Sequence, residues 1–388
     1  MIRSWTPFNG FSCTINTTED CNLRCKYCYE ICKKPGNIDL DTAKKFIDLI
    51  FTEPDIMGNL EERPDNFDGL ILDFIGGDAL MNVDILDDIC RYANSMYMTH
   101  DRFKKRGWRM NISSNGTLFK FPKVRKFCEK WASNLSLGVS IDGCPEIHDK
   151  NRIYCDGSGS MKDILDWWPW FKEWFPVGSN QTKATANKDT IPYLFESLKF
   201  MHETLGLKYI HQNFIAEDMG LTKEDLEELD KQLELCCDYC LEHKSDLYWS
   251  MFDFRYQFPY CNKKENPDSF ERASCGSGQM PTCSIDGKIY PCFRWLPHTQ
   301  TSKDTMVLGD VYTGVDKAKA KYVRDMSTAE NCSNEECSNC EYESCCVWCV
   351  AGSYAEYNEF KRATHLCEIT KLQSKWAKEY VKRLKNAS

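Results

Sequence analysis

The chain has 388 residues, enough for one large domain and a smaller one, and its apolar and charged fractions, 42% and 28%, are those of a globular protein. A net charge of −9 without a long basic run argues against non-specific binding of nucleic acid. No apolar run approaches the roughly 18–20 residues of a membrane span, and the first residues lack a signal-peptide pattern, so we expect a cytoplasmic protein that binds no membrane.

Cysteine is the unusual feature of the composition. The chain has 23 cysteines, an odd number, in a sequence too long for a typical disulfide scaffold. In a reducing compartment clustered cysteines more often bind metal, whereas scattered ones are usually small buried hydrophobes. We therefore expect metal centres where the cysteines cluster, near residue 21 and from residue 275 onward.

Short apolar runs alternate with amphipathic helical segments over residues 12–215. The runs predict six strands, in segments 10–17, 70–77, 108–116, 135–143, 179–189 and 209–218. Helices are predicted between them, with Asp39 as the cap of the first. Repeated strand, loop and helix units predict parallel strands, hence an α/β fold with a partial (β/α)6 TIM-type barrel. In such barrels the loops after the strands carry the chemistry.

The second half of the chain changes character. Residues 221–244 form a charged helical segment, and helix–strand alternation disappears after it while cysteine density rises. We predict a barrel over 1–220, a helical linker over 221–270 and a cysteine-rich domain over 271–388, with a small β-hairpin at Asp286-Gly287 and helices around it.

The first cysteine cluster is Cys21, Cys25 and Cys28, in a Cys-x3-Cys-x2-Cys loop. A loop this compact favours one polynuclear centre, and three thiolates leave one position of a four-iron cluster open. Cys32 could instead complete a zinc site, so that alternative stays open.

With Tyr27 before the last cysteine, the loop resembles the signature of the radical S-adenosylmethionine (radical SAM) enzymes. The resemblance implies that the three cysteines hold a catalytic [4Fe–4S] cluster, whose open iron is chelated by S-adenosylmethionine. Reductive cleavage of that cofactor would release a 5′-deoxyadenosyl radical.

Further segments resemble the cofactor-binding loops of that family. In the segment that begins with Gly76 and Gly77, Asp78 stands where the family usually has Glu, and Ala79 stands where it usually has Pro. For Gly-Gly after a strand, a plain turn is the alternative. The cofactor contacts implied by the resemblance are Tyr27, Gly76, Gly77, Asp78, Ser114, Asn115, Ser140, Asp142 and Arg152.

The later cysteines resemble the SPASM domain of peptide-modifying radical SAM enzymes. The resemblance implies a first auxiliary [4Fe–4S] cluster on Cys275, Cys283, Cys292 and Cys349, and a second on Cys337, Cys340, Cys367 and either Cys345 or Cys346. Three [4Fe–4S] clusters are then expected in all. A zinc-ribbon module is the alternative for this array.

The resemblance implies a peptide or protein substrate. In sulfatase-maturing members an aspartate follows the cysteine that matches Cys292, whereas here Phe293 does. We therefore expect a maturase that installs thioether or related crosslinks in a ribosomally made peptide, with formylglycine generation in a sulfatase as the alternative. A zinc-cluster scaffold is the alternative of another class. A flavodoxin- or ferredoxin-type donor and a separate leader-peptide recognition protein are the expected partners.

Overall fold

A computed structural model describes residues 10–386 apart from 33, 60–68, 105–106, 176–179, 253–275, 302–305, 344–345 and 347. None of the helices described in it has the length and apolar character needed to cross a membrane. The cysteines within these ranges are all free thiols.

A curved sheet of parallel strands forms the first two thirds of the chain. Each strand pairs in parallel with the next one along the chain, from β1 to β7. All six predicted strands are present, and the predicted partial barrel is confirmed. The strands are β1 Gly10–Thr18, β2 Gly69–Gly76, β3 Trp108–Ser114, β4 Leu135–Ser140, β5 Asn180–Ala186, β6 Tyr209–Phe214 and β7 Tyr248–Trp249.

Helices cover the outer face of this sheet. The first begins after Asp39, whose carboxylate accepts a hydrogen bond from the backbone N–H of Thr42 at 2.9 Å, as its capping position predicts. The barrel helices are α1 Leu40–Thr52, α2 Val83–Thr99, α3 Pro122–Trp131, α4 Pro145–Asn151, α5 Met161–Trp174, α6 Leu194–Lys199 and α7 Lys223–Glu242.

The two faces of the barrel sheet differ in polarity. Leu72, Phe74 and Met110 are buried on the outer face, where the thiol of Cys90 on α2 contacts the Met110 sulfur. The alternate residues Asp73 and Asn111 pair on the inner face. The apolar core therefore lies between sheet and helices, and the barrel interior is polar.

The segment predicted as a linker continues the barrel as far as it is described. Helix α7 packs against α6, and the strand after it, β7, pairs in parallel with β6. Thr222 caps α7 by a reciprocal capping box with Asp225. Residues 253–270 of the predicted linker lie outside the described residues.

The C-terminal part joins the same sheet instead of standing apart. Strand β8 pairs in parallel with β1 on the side away from β2, and β8, β9, β10 and β11 then follow in antiparallel order. The predicted hairpin is confirmed, and Gly287 takes a φ of +80° in its turn. The strands are β8 Thr282–Cys283, β9 Lys288–Tyr290, β10 Gly309–Asp310 and β11 Gly314–Val315; the helices are α8 Lys317–Met326, α9 Ala329–Cys332, α10 Glu335–Ser338, α11 Val350–Tyr357 and α12 Cys367–Asn386.

Arg324 on α8 ties the C-terminal part to the barrel. It is 4% exposed, and its guanidinium donates to the carbonyl oxygens of Met57 at 2.7 Å, Gly58 at 2.9 Å and Gly278 at 3.3 Å. These carbonyls come from the loop after α1 and from the segment before β8. One side chain thus holds two distant parts of the chain together.

We expect Arg324→Met to lower the free energy of unfolding by about 3 kcal/mol, because it leaves buried carbonyls without donors. The apparent Tm, followed by circular dichroism, should fall by at least about 5 °C. Lys321→Met on the same helix is the control, since Lys321 is exposed and pairs only along the helix with Asp325. Equal melting of the two variants would contradict this role.

Candidate active site

The cysteine loop follows β1 and lies on the segment that follows α4. The N–H of Arg24 donates to the carbonyl of Ile153 at 2.7 Å, and that of Lys26 to the carbonyl of Asn151 at 3.0 Å. A tight turn joins the last two cysteines, with the N–H of Cys28 donating to the Cys25 carbonyl at 3.1 Å. Backbone hydrogen bonds therefore fix the loop at the carboxyl ends of the strands.

The Gly-Gly turn after β2 packs directly against the beginning of this loop. A Cβ on Gly76 would lie 1.9 Å from the Thr18 carbonyl oxygen, and one on Gly77 would lie 2.3 Å from the Asp20 oxygen and 2.8 Å from Cys21 Cβ. The N–H of Gly77 donates to the Thr18 carbonyl at 3.1 Å. Both positions therefore require glycine because of this close backbone approach, which is more than a plain turn demands.

Asp78 joins the Gly-Gly turn to the loop after β3. Its buried carboxylate accepts from Ser114 Oγ at 2.9 Å and from the N–H groups of Asn115 at 2.8 Å and Leu80 at 3.0 Å. The side chain of Asn115 in turn approaches Cys21 Sγ at 3.8 Å and Asn22 Oδ1 at 2.9 Å. The sequence predicts Asp78 as a cofactor contact, whereas in the structure its carboxylate holds two loops together.

Tyr27, Asp142 and Arg152 form a buried network on the other side of the loop. The Asp142 carboxylate accepts from the Tyr27 hydroxyl, from Arg152 Nε at 2.9 Å and from the Thr185 N–H at 2.9 Å. Burial raises the pKa of Tyr27 above its usual value, so its hydroxyl stays a donor. Burial opposes the charge of Arg152, but Asp142, Tyr27 and Cys25 together outweigh burial and raise the Arg152 pKa.

His148 supports this network. The Asp142 N–H donates to His148 Nδ1 at 3.3 Å, and His148 Nε2 lies 3.0 Å from Ser160 Oγ. Burial lowers the pKa of His148 to about 4, against an opposing effect of Asp142. His148 is therefore neutral near pH 7, with its proton on Nε2. Its role is to position Asp142. Ser140, also predicted as a cofactor contact, ends β4 two residues before Asp142 and is partly exposed.

The cysteine spacing fits a polynuclear cluster better than zinc. A tetrahedral zinc site with bonds of about 2.3 Å holds its sulfurs about 3.8 Å apart. Among the described residues, one group of three His, Cys, Asp or Glu side chains has all its ligand atoms within 4.8 Å of one another. That group is His202, His243 and Asp246, and it contains no cysteine. No three described thiols therefore approach as closely as one zinc ion requires, whereas a cubane holds its cysteines further apart.

The second C-terminal cysteine array comes together in the structure. Cys337 and Cys340 are close enough to Cys346 to affect its pKa electrostatically. The thiols of Cys337, Cys340 and Cys346 affect the pKa of Cys367, at the start of α12, in the same way. Cys345, the other predicted candidate, lies outside the described residues.

A buried ion pair braces this array. Arg362 Nη2 lies 3.1 Å from Glu343 Oε1, and the two side chains are each 4% exposed. Arg362 also opposes the effect of burial, which raises the pKa of Cys346. The carbonyl of Cys332, a cysteine without an assigned ligand role, accepts from the Arg362 N–H at 3.0 Å.

The first C-terminal array is only partly described. Cys275 lies outside the described residues. Cys283 is fully buried in β8, and its electrostatic neighbours are Asp286, Asp39 and Cys13, which are not predicted ligands. Cys292 directly precedes Phe293 and Arg294.

Tyr29 connects the cysteine loop with this array. Its phenol has both Cys28 and Cys349 as electrostatic neighbours, and burial raises its pKa above the usual value. Phe293 packs against its ring with centroids 6.2 Å apart, and the Arg294 guanidinium lies 4.3 Å from the ring centroid. Arg294 also pairs with Glu217 at 2.6 Å. The position after Cys292 therefore presents an aromatic contact and no proton acceptor.

Polar groups line the barrel interior below these loops. The Asp73 carboxylate accepts from Ser12 Oγ at 2.9 Å and from Asn111 Nδ2 at 2.7 Å. Desolvation in the barrel interior raises the pKa of Asp73 and lowers that of Lys183 on β5, although the Lys183 side chain keeps access to solvent; each charge opposes the shift of the other. Asn16 on β1 is 0% exposed, and neither of its side-chain polar atoms has a hydrogen-bond partner among the described residues. A buried amide in this condition points to a bound molecule or ordered water.

Known proteins share sequence similarity with this chain. Residues 9–165 match a family model described as a 4Fe-4S single cluster domain. An uncharacterised protein of Methanocaldococcus jannaschii is 31% identical over 188 residues, which are 48% of this chain and 57% of that protein. A cysteine-type anaerobic sulfatase-maturating enzyme of Clostridium novyi is 26% identical over 38% of this chain and 36% of its own length. The AdoMet-dependent heme synthase of Methanosarcina barkeri is 23% identical over 90% of this chain and 94% of its own.

Solved structures extend the likeness along the chain. The structure of anSMEcpe with bound AdoMet and the Kp18Cys peptide superimposes with a TM-score of 0.74 at 16% identity, over 97% of this chain and 99% of that one. Together with the relatives, this likeness supports a radical SAM enzyme of the SPASM type. A further structure of similar fold is that of Streptococcus suis SuiB bound to precursor peptide SuiA, with a TM-score of 0.59 at 14% identity, over 92% of this chain and 76% of that one.

Several residues of the candidate site are absent from the sequence prediction. Tyr29 follows Cys28 directly, so its position in the loop was a usable signal. The sequence gives a weaker signal for Asp73 and Lys183, which is that each is a charged residue within a predicted strand. Glu217 carries none, because it meets Arg294 only through the fold.

We expect Gly77→Ala to lower the iron content of the radical SAM cluster site, because the added methyl group would displace Asp20 and Cys21. Iron and sulfide per chain should fall by about four each after anaerobic reconstitution. Gly220→Ala is the matched control: its φ of +57° makes alanine unfavourable, but nothing lies within 4 Å of the new Cβ. Full iron in the Gly77 variant would contradict the importance of this contact.

We also expect Cys346→Ala to remove about four iron atoms per chain while leaving the Cys21 site loaded, because Cys346 lies among the thiols of the second array. Exposed Cys155 is the control, and Cys155→Ala should keep all of its iron. Iron content together with the electron paramagnetic resonance signal of the reduced clusters measures both. An unchanged iron content in Cys346→Ala would remove that residue from the cluster.

Proposed function

We propose that this enzyme is a peptide maturase, and that it installs thioether or related crosslinks in a ribosomally synthesised peptide. Cys21, Cys25 and Cys28 would hold a [4Fe–4S] cluster with S-adenosylmethionine at its open iron. When bound, these cofactors supply a 5′-deoxyadenosyl radical that takes a hydrogen atom from the substrate.

The observation that carries the proposal is the position of Tyr29. One side chain is a neighbour of Cys28 in the first cysteine loop and of Cys349 in the C-terminal array. A substrate residue beside Tyr29 would therefore face both cysteine regions at once. Thioether formation takes one hydrogen atom, one proton and one electron from a peptide, so it needs a radical source and an electron acceptor close together.

The chain's own residues divide this work. The backbone carbonyls near Gly76 and Gly77 are suited to receive the amino group of S-adenosylmethionine, because the Asp78 carboxylate already has protein donors. Tyr27, Asp142 and Arg152 hold the loop in place from the other side. In the interior, the pKa of Asp73 is raised and that of Lys183 is lowered, and groups shifted in these directions are suited to moving a substrate proton.

Two auxiliary [4Fe–4S] clusters complete the proposal. Cys337, Cys340, Cys346 and Cys367 would hold the one further from Tyr29, and Cys275, Cys292 and Cys349 would hold the nearer one. Cys283, predicted as a fourth ligand of that nearer cluster, has Cys13, Asp39 and Asp286 as its electrostatic neighbours, which are not predicted ligands. If it does not bind there, one iron is open to a substrate thiol, which coordination would deprotonate.

Peptide substrates are supported by the solved structures of similar fold, one with a Cys-containing peptide and one with a precursor peptide. Formylglycine generation is less well supported, because Phe293 stands where that reaction places a carboxylate base. A second candidate is tetrapyrrole chemistry, favoured by the end-to-end match to the heme synthase of Methanosarcina barkeri. We further propose a cytoplasmic location, a flavodoxin- or ferredoxin-type electron donor and a separate leader-peptide recognition protein.

We expect the reconstituted enzyme, given S-adenosylmethionine and a chemical reductant, to form 5′-deoxyadenosine. A Cys-containing precursor peptide should lose the mass of two hydrogens while keeping its sulfur, as measured by liquid chromatography and mass spectrometry. Cys21→Ala should abolish both products. Cys32→Ala is the matched control in the same loop, since exposed Cys32 is not needed as a ligand.

Other products would rank the candidates differently. A Cys peptide that loses its sulfur and gains an aldehyde would establish formylglycine generation. Turnover of a tetrapyrrole without peptide turnover would establish the tetrapyrrole candidate. Deoxyadenosine formation by Cys21→Ala would overturn the assignment of the catalytic cluster itself.

A further inference from the structure

A compact group of metal-binding side chains lies away from the cysteines. His202, His243 and Asp246 place one ligand atom each within 4.8 Å of the others. His202 Nε2 lies 3.4 Å from Asp246 Oδ2, and the two imidazole rings have centroids 4.9 Å apart. The edge of a tetrahedral zinc site with bonds of 2.0–2.1 Å is about 3.4 Å. The spacing of the nitrogen and oxygen atoms therefore fits one ion.

Two helix ends bring these residues together. Helix α6 changes at its C-terminus into a single π-helical turn, Phe200–Thr204, which carries His202. His243 directly follows the last residue of α7, and the N–H of Asp246 donates to the His243 carbonyl at 3.1 Å. π-helical turns are rare and occur frequently at functional sites.

Hydrogen bonds fix the protonation of His202. The Tyr239 hydroxyl donates to Glu203 Oε1 at 3.1 Å, so its oxygen accepts from His202 Nδ1 at 2.7 Å. The proton of a neutral His202 is then on Nδ1, and Nε2 directs a lone pair toward the Asp246 carboxylate. Two acceptors facing each other need a cation between them, either an added proton or a metal ion.

The surroundings favour the metal ion. The hydrogen bonds from His202 to Tyr239 and from Tyr239 to Glu203 resemble those that orient metal-bound histidines in proteins. Such hydrogen bonds also increase the basicity of the metal-binding nitrogen. His243 adds a second nitrogen beside the pair, which a single proton shared by His202 and Asp246 would not need. Asp246 is 45% exposed, so an ion and a water ligand can reach the site from solvent.

We propose that His202, His243 and Asp246 bind a divalent transition-metal ion, namely zinc, with water as the fourth ligand. The site lies just before Tyr209 and Tyr248, where β6 and β7 begin, at the opposite end of the barrel from the cysteine loop. That end of a barrel contributes stability and not chemistry. The ion joins the ends of α6 and α7 and takes no part in radical formation.

Zinc X-ray absorption on the iron-loaded enzyme tests this proposal, because it detects zinc in the presence of iron. One zinc per chain is expected, with nitrogen and oxygen ligands at 2.0–2.1 Å. Asp246→Asn and His243→Gln should each weaken zinc affinity about 100-fold or more in a chelator competition. Tyr239→Phe, which keeps the ring but cannot link His202 to Glu203, should weaken it about 10- to 100-fold.

Matched controls sit nearby. Glu242→Gln removes an exposed carboxylate from the same turn, and His100→Gln removes an imidazole from a different helix end; both should bind zinc like the wild type. Zinc should raise the Tm of the wild type and of these controls, and not that of Asp246→Asn. Iron content and deoxyadenosine formation should stay unchanged in Asp246→Asn, which separates this test from the radical chemistry.

Three results would overturn the proposal: sulfur ligands at about 2.3 Å around the zinc, no zinc bound above the Asp246→Asn level, or equal affinity in all variants. The first would mean that zinc had entered a cysteine array. The other two would leave His202 and Asp246 as an imidazolium–carboxylate pair.

Discussion

The approach of two backbones at the end of β1 and β2 is the contact on which the rest of the site depends. Gly76 and Gly77 touch the carbonyls of Thr18 and Asp20 with no room for a side chain between them. This contact depends on the parallel pairing of β1 and β2, in which a register shift between Asn16 and Thr18 sets Thr18 opposite Gly76, so that the loops after both strands leave the sheet at the same end. The loops after β3 and β4 then add to it, through Asp78 and Asp142.

The cysteine loop lies against the C-terminal part of the chain. Tyr29, at the far end of that loop, packs against Phe293 and Arg294 of the C-terminal part. The distance between the two cysteine regions is thereby set by aromatic packing and by the ion pair of Arg294 with Glu217.

The sequence predicts the elements of this fold well because each is determined locally. Alternation of apolar residues, the capping residue Asp39 and the turn at Asp286-Gly287 identify strands, a helix start and a hairpin without knowledge of their partners. Strand β7 escaped prediction because it is two residues long, and so α7 resembled a linker. A strand that short acquires its conformation from pairing with β6.

Site residues were predictable where a motif fixes them and not where the fold does. The three loop cysteines share one short signature, whereas Asp73 and Lys183 lie on β2 and β5 and meet only when the sheet curves. The bonds of Asp78 to Ser114 and Asn115 also depend on strand order. Residue type suggested a cofactor contact at Asp78, and the fold shows in addition that its carboxylate joins two loops.

The pairing of β8 with β1 has a consequence for how the chain is made. Thr14 and Ile15 pair with Thr282 and Cys283, so one edge of the first strand stays open until most of the polypeptide has left the ribosome. An open edge is a template for unwanted pairing, and contacts this distant in sequence form slowly. The cysteine loop follows that same strand, so completion of the sheet and protection of the loop's thiols belong to one late event in biosynthesis.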